Sequence, residues 1–470
     1  MKIGEIAEST GGALVQGLSV VDVRGISTDS RTIRPGELFF ALRGPNYNGH
    51  VFVRDALEKG VLGAVVETTE GMDLPGSANI IVVGDTLRAL GDCASYIRRR
   101  FAHVPLVAVS GSTGKTTTKE MIASILKRSR TVLKTEGNRN NLVGLPLTIA
   151  GLEAAHRAAV VELGISEPRE MERLVEISSP DVALLTNIGR GHLETMGTIE
   201  RVAEAKGELF RSPGPGCVRV VNLDDGHIVR AASGRAGGGW QRITYSLSKE
   251  ADVRVKSYKI FDGLEGVEVV LDVRGEAVEA RLKTPGLLAV TNALAAVAAT
   301  LPFGPSPNEI AEGLSTCPGV KRRMDVVSLK GFTVLDDTYN ANPDSVAAAL
   351  KALAGASGRK VAVLGDMLEL GPASARLHRE AGGVAAELGI EVIVAVGQWS
   401  REVIEGAVAS GFDSRRAHCF EGKKEALGAL KGFLIKEGDF VLVKGSRAVG
   451  LEDIVEGLKD PVEVIHEACG

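Results

Sequence analysis

The sequence predicts an α/β protein of three domains, and three observations carry that expectation. A short apolar run, Leu106-Val107-Ala108-Val109, turns through two glycines into a helix-like segment. Two more continuous apolar runs follow, Ala158 to Gly164 and Pro180 to His192, of the kind found in parallel sheets covered on both faces. From about residue 319 onward, strand-like and helix-like runs alternate, which predicts a second doubly wound sheet. A chain of 470 residues accommodates about three such units, and the expected divisions are 1–102, 103–318 and 319–470.

The first unit opens with a polar, helix-like stretch after Met1-Lys2, unlike a signal peptide. Gly25-Ile26-Ser27-Thr28-Asp29-Ser30-Arg31 reads as a polar turn, and Pro35 to Leu42 runs into a strand. Asn48-Gly49-His50 precedes a helix-like run from Val51 to Lys59, and Gly63 to Glu67 and Asn79 to Val83 read as strands. Ser30, Arg31 and His50 either grip an anionic ligand or serve as ordinary turn residues. His103-Val104-Pro105 suits a linker, because the residue before a proline is pushed out of helix.

The central unit begins with its most informative stretch, Ser110-Gly111-Ser112-Thr113-Gly114-Lys115-Thr116-Thr117. A strand, a Gly-rich turn, Gly-Lys-Thr and a helix together make a phosphate-binding loop. Glycines let backbone N–H groups wrap the phosphate, and the helix N-terminus adds its positive end. Lys115 would reach the β- and γ-phosphates, and Thr116 would hold Mg²⁺. The spacing is the shorter G-x-x-G-K-T-T form, since Val109 stands where the common loop has its first glycine. Downstream, Thr135 to Thr148 holds Asn138, Asn140 and Asn141, which suits a loop presenting amides or a capped surface turn. Glu162 and His192 end the next two apolar strands, at the edge where such sheets bind ligands. Lys206 sits among Glu200, Glu204 and Glu208 on a helix-like stretch from Ile199 to Phe210 and reads as part of a solvated charged face. Residues 251–282 look like an antiparallel insert, and Asn292 lies near the start of an Ala-rich helix.

In the third unit, strands are expected at 333–336, 360–364, 392–396 and 440–443, with helices at 344–354, 373–388, 401–409 and 423–436 between them. Polar or Gly-rich turns follow several strands: Asp336 to Pro343, Gly365-Asp366-Met367 and Lys444-Gly445-Ser446-Arg447.

Composition excludes several function classes. With 55 Lys plus Arg against 59 Asp plus Glu, the net charge of -4 gives no electrostatic case for nucleic acid or a membrane surface. No apolar run reaches the ~18 residues of a membrane span. Cys93, Cys217, Cys317, Cys419 and Cys469 are scattered and form no C-x-x-C pair, so buried or idle thiols in a reducing cytoplasm are expected.

Taken together, these motifs resemble the Mur ligases of bacterial cell-wall synthesis, over essentially the whole chain. Three stretches carry a finer likeness: Thr135 to Thr148, the Tyr339-Asn340-Ala341-Asn342-Pro343 turn, and Gly365-Asp366-Met367-Leu368-Glu369-Leu370-Gly371. They resemble the branch that joins D-alanyl-D-alanine to UDP-N-acetylmuramoyl-tripeptide. The Tyr-Ala-His-Thr-Pro and Asp-Asn-Pro-Arg motifs of the branch that adds the third amino acid are absent. The resemblance implies a UDP-substrate-binding N-terminal domain, a central ATP-binding domain and a Rossmann-like C-terminal domain. It implies ATP and Mg²⁺ as cofactors, an acyl-phosphate route to the amide, and a monomer.

It also implies residue roles. Gly111 to Thr117 would hold ATP with Asn292 at the adenine, Arg323 reaching over from the third domain, and Asp337 at the ribose. Thr116, Glu162, His192 and a carbamylated Lys206 would serve Mg²⁺. Ser30, Arg31, Asn48 and His50 would take the UDP end, and Asn138, Asn140, Asn141, Tyr339, Asn340 and Asn342 other parts of the substrates. The chain departs from the family's Gly-Arg-His-Asn with Gly286-Leu287-Leu288-Ala289, and Arg322 replaces the usual Gly before Arg323. Two other readings stand beside this one: a sister amide ligase that adds a single amino acid, and a nucleotide-hydrolysing switch.

Overall fold

The protein is described by a computed structural model covering residues 1–44, 47–214, 216–233 and 240–459. Cys469 lies outside the described residues.

Three sheets organise the chain. The first runs Ala13–Gln16, Asn79–Val82, Gly63–Val66, Glu37–Phe40, Gly25–Ser27, all parallel except the first strand. Gly25-Ile26-Ser27, expected as the start of a turn, is thus the edge strand of this sheet. The Thr86–Arg100 helix closes the unit, with the Asp85 side chain accepting from the Arg88 N–H as its cap. Its buried Arg98 reaches across to the next unit, donating to the Ser178 carbonyl and to Asp181 (both 2.9 Å).

The second sheet has nine strands. Their order is Glu276–Leu282, Val267–Val273, Val253–Ile260, Arg242–Ser246, Val218–Asn222, Val182–Leu185, Leu106–Ser110, Ala158–Glu162, Val132–Lys134. The 251–282 segment is a continuation of this sheet: Val253 pairs with Tyr245 in parallel before the last two strands turn antiparallel. The Leu106–Ser110 strand is entirely buried between Ala158–Glu162 and Val182–Leu185, both parallel to it. Strand order reverses there, which opens a crevice beyond its C-terminal end. The Lys115–Leu126 and Leu287–Thr300 helices pack together on one face, where the small alanines of the second allow close approach.

The third sheet runs Asp325–Leu329, Phe332–Asp337, Phe440–Lys444, Lys360–Gly365, Val392–Val396, Ala417–Phe420, parallel after the first pair. Its two edge strands were not expected. They are only partly buried, so their sequences lack the continuous apolar runs of the inner four. The helix expected to reach Lys436 ends at Ala429 and continues as a wider turn over Leu430–Leu434. Cys93, Cys217 and Cys317 are buried free thiols, and burial pushes all three up to about 12, while Cys419 is exposed.

Candidate active site

A cavity of about 450 Å³ opens where the C-terminal strand ends of the second sheet face those of the third. Its floor is the phosphate loop. Gly111 and Gly114 adopt φ of +143° and +79°, conformations that L side chains rarely take. A Cβ on Gly114 would lie 2.3 Å from Asn292 Oδ1, and one on Gly111 would lie 2.0 Å from Thr186 Oγ1. Asn187 pins the loop from beneath: its Oδ1 accepts from the Thr113 N–H (2.9 Å), and its carbonyl accepts from the Ser112 N–H (3.0 Å). Lys115 opens the helix, and its Nζ donates to the Gly111 carbonyl at 2.7 Å. Burial holds its pKa below the usual lysine range; Glu162 opposes that shift and Arg323 adds to it.

Beside the loop stands a buried oxygen pair. Thr116 Oγ1 donates to Glu162 Oε2 at 2.8 Å, and Asn140 Nδ2 donates to Glu162 Oε1 at 2.9 Å. Asn138 and Asn141 also line the cavity, and Asn141 Oδ1 accepts the Val143 and Gly144 N–H groups at the start of the next helix. The three asparagines thus form a loop that offers amides and caps a helix at once.

Lys206 overturns the reading of a solvated charged face. It lies on the Ile199–Arg211 helix, 1% exposed, with an Nζ that has no hydrogen-bond partner. Two residues along a helix turn the side chain by about 200°, so exposed Glu204 says nothing about Lys206. Burial is the main cause that brings its pKa down to about 7, with Lys115 adding to it and Glu170 opposing. His192 adopts a left-handed φ of 58°, and its Nδ1 lies 2.6 Å from Glu369 Oε2 of the third domain. Contact with His192 holds the Glu369 carboxyl below its ordinary value.

The opposite wall comes from the third domain. The Arg323 guanidinium carbon lies 3.9 Å from the centre of the Tyr339 ring, a cation–π contact. Buried Asp337 accepts from Lys444 Nζ at 2.6 Å and from the Met324 N–H at 3.1 Å. Lys444 also donates to the Asn340 carbonyl, and the Asn342 side chain caps the Pro343–Ala354 helix by accepting from the Ser345 N–H. Leu288 and Ala289, from the departing Gly286-Leu287-Leu288-Ala289 stretch, give this cavity an apolar strip beside Asn292.

None of Ser30, Arg31, Asn48 or His50 lines this cavity. Arg31 pairs with its neighbour Asp29, and the Ser30 carbonyl accepts from Lys59. His50 Nε2 accepts the Glu67 N–H at 2.9 Å, so its proton sits on Nδ1, 3.0 Å from Asn48 Oδ1. Sequence reasoning gave no role to Glu369 or Lys444 individually. Lys444 stands in a turn expected after a strand and Glu369 in the Gly365 to Gly371 stretch that carries the family likeness, and those placements beyond C-terminal strand ends are the available signal.

The comparisons agree over all three units. Family models match at residues 22–104 (Mur ligase family, catalytic domain), 109–300 (Mur ligase middle domain) and 322–447 (Mur ligase, glutamate ligase domain). The chain is 34% identical to the UDP-N-acetylmuramoyl-tripeptide--D-alanyl-D-alanine ligase of Bacillus subtilis strain 168, over 93% of each chain. It is 35% identical to the enzyme of that name from Treponema pallidum, over 94% of this chain and 96% of the other. A crystal structure of MurF from Acinetobacter baumannii superposes with a TM-score of 0.89 at 32% identity, covering 98% of this chain and 99% of that one. The MurF ligase from Thermotoga maritima, solved in complex with ADP, superposes with a TM-score of 0.82 at 28% identity, covering 94% and 98%. With a phosphate loop set between two α/β domains and relatives of this identity along nearly its full length, the chain belongs to the Mur ligase family.

Proposed function

We propose that this protein joins D-alanyl-D-alanine to UDP-N-acetylmuramoyl-tripeptide at the expense of ATP, making a peptidoglycan precursor. The observation that carries the reading is its 34% identity, across 93% of both chains, to a ligase of that name. The site's chemistry supports it. Lys115 and the loop amides would hold the triphosphate, with Asn292 and the Leu288–Ala289 strip toward the adenine, Asp337 toward the ribose and Arg323 over the phosphates. An oxygen of the tripeptide carboxylate attacks the γ-phosphorus, and ADP leaves. The free amine of the dipeptide then attacks the acyl carbon, the tetrahedral intermediate expels phosphate, and the nitrogen loses its proton. Two anions must meet in the first step, so the cations and N–H dipoles of this floor offset their repulsion.

The Thr116–Glu162 pair suits Mg²⁺, a hard cation that takes oxygen ligands. Among the described residues there is no cluster of three or more His, Cys, Asp or Glu poised for a metal, so phosphate oxygens of the nucleotide would complete the shell. His192 and a carbamylated Lys206 would serve a second ion. Bound Mg²⁺ would neutralise charge on the transferred phosphoryl group. Asn138, Asn140 and Asn141 would face the muramoyl peptide, and Tyr339, Asn340 and Asn342 the incoming dipeptide. Ser30, Arg31, Asn48 and His50 would take the UDP end, His50 by fixing Asn48 and the turn. The protein would act as a monomer. A cytoplasmic site fits these substrates, and no helix among the described residues is long and apolar enough to cross a membrane.

The test is phosphate release from ATP with UDP-N-acetylmuramoyl-tripeptide, comparing D-alanyl-D-alanine with single amino acids. Release that requires the dipeptide, matched by the mass of the ligated product, is expected. Release with a single amino acid on a shorter UDP-peptide would assign a sister ligase, and release with no acceptor would mean a hydrolytic switch.

A further inference from the structure

We propose that Arg190 is a positioning residue that clasps the C-terminal domain onto the phosphate loop and sets how often the two walls of the site stand together. This rests on the reading above, in which substrates bridge both domains. Arg190 follows the Val182–Leu185 strand and does not line the cavity. Its backbone N–H donates to Asp344 Oδ2 at 2.6 Å, its Nε and one terminal nitrogen donate to Asp344 Oδ1 at 3.0 and 2.9 Å, and its other terminal nitrogen meets Glu380 at 2.5 Å. The guanidinium fork therefore spans two carboxylates of the third domain, a geometry that lysine cannot copy.

The preceding residue ties this clasp to the floor. The Gly189 N–H donates to Ser112 Oγ at 2.8 Å, and Ser112 Oγ donates back to the Gly189 carbonyl at 3.2 Å. There is no slack: a Cβ on Gly189 would lie 2.4 Å from Asp344 Oδ2 and 3.3 Å from Ser112 Cβ. On the far side, Asp344 lies in the first turn of the helix that Asn342 caps, directly after the Tyr339–Asn342 wall. One residue thus links the phosphate loop to the turn expected to receive the dipeptide. A lone exposed ion pair would do little. This one combines three donors on one carboxylate with a second carboxylate, and the Arg190 side chain is only 29% exposed.

Three single variants test it, Arg190→Ala, Arg190→Lys and Glu380→Gln, together with the Arg190→Ala, Glu380→Gln double variant, none of them at a cavity-lining position. Steady-state kinetics is read beside the radius of gyration of the ligand-free protein in solution scattering. For Arg190→Ala the KM for the dipeptide is expected to rise roughly tenfold, because fewer molecules present the complete site, while kcat at saturation stays within about twofold. The radius of gyration should increase. Glu380→Gln should shift both readings in the same direction by less, Arg190→Lys should restore part of each, and Arg190→Ala with Glu380→Gln should be no worse than Arg190→Ala alone. An unchanged KM and radius in both Arg190→Ala and Glu380→Gln, or a fall in kcat at constant KM, would overturn the clasp. Failure of the wild-type protein to ligate the dipeptide would refute the function instead, and the scattering comparison alone would then decide the clasp.

Discussion

Supplying the protein with isotopically labelled carbon dioxide is expected to place a labelled carbamate on Lys206. The reaction needs a neutral amine: nitrogen attacks the carbon of carbon dioxide, the C–N bond forms as one C=O π pair moves onto oxygen, and nitrogen loses a proton to solvent. At pH 7 a lysine at the ordinary value of 10.5 is neutral in about one molecule in three thousand, whereas at about 7 it is neutral in about half. The site therefore raises the reactive fraction by about a thousandfold, and the buried, unpartnered Nζ has no competing hydrogen bond to break. The product is also favoured where it forms, because Lys115, whose charge disfavours a protonated Lys206, would instead attract the carbamate anion. The assay is a carbamate resonance in the magnetic resonance spectrum of protein equilibrated with labelled bicarbonate, supported by intact mass under non-acidic conditions. Lys206→Met should abolish the signal, and Mg²⁺ with nucleotide should lengthen its lifetime on dilution into carbon-dioxide-free buffer. A wild-type protein that takes no label at pH 8, or a signal that persists in Lys206→Met, would refute the argument.

Three further outcomes follow from the geometry. Gly114→Ala forces a side chain onto a φ of +79° and against Asn292 Oδ1, so about 1–2 kcal/mol of backbone strain should appear as roughly tenfold or greater weakening of ATP binding by calorimetry. Lys444→Met leaves the buried Asp337 carboxylate with a backbone donor but no cation, which should cost about 3–5 kcal/mol in denaturant unfolding; Asp337→Asn in the same chain should recover most of it. Lys206 also sets a pH trend in carbon-dioxide-free buffer. Its folded pKa is lowered to about 7 from 10.5, so the unfolded chain binds the extra proton. Stability should therefore rise with pH from about 7 towards the unfolded value and fall as pH drops through that window, and Lys206→Met should remove this slope.

How much of this was legible depended on how local each signal is. The phosphate loop could be read because strand, glycines, Lys115 and helix fall within one short stretch, and the inner strands because burial on both faces demands continuous apolar runs. Lys206 was misread by its neighbours in sequence. Its neighbours in space were also written there, since Val202, Ala205, Leu209 and Phe210 form one buried helical stripe to which Lys206 belongs. The Thr86–Arg100 helix was missed although Asp85 stood ready as its cap. Glu369 and Lys444 belong to another class. A turn residue's sequence does not reveal that its charge will be spent on His192, or on an Asp337 that lies 107 positions away. The same holds for the grips between domains, Arg98 on Asp181 and Arg190 on Asp344, whose partners are separated by 83 and 154 positions. Motifs recur because chemistry fixes them locally. Such long-range charge pairs are fixed only by the way the domains meet, so each chain can solve that problem with different residues, and its own structure is where the solution is read.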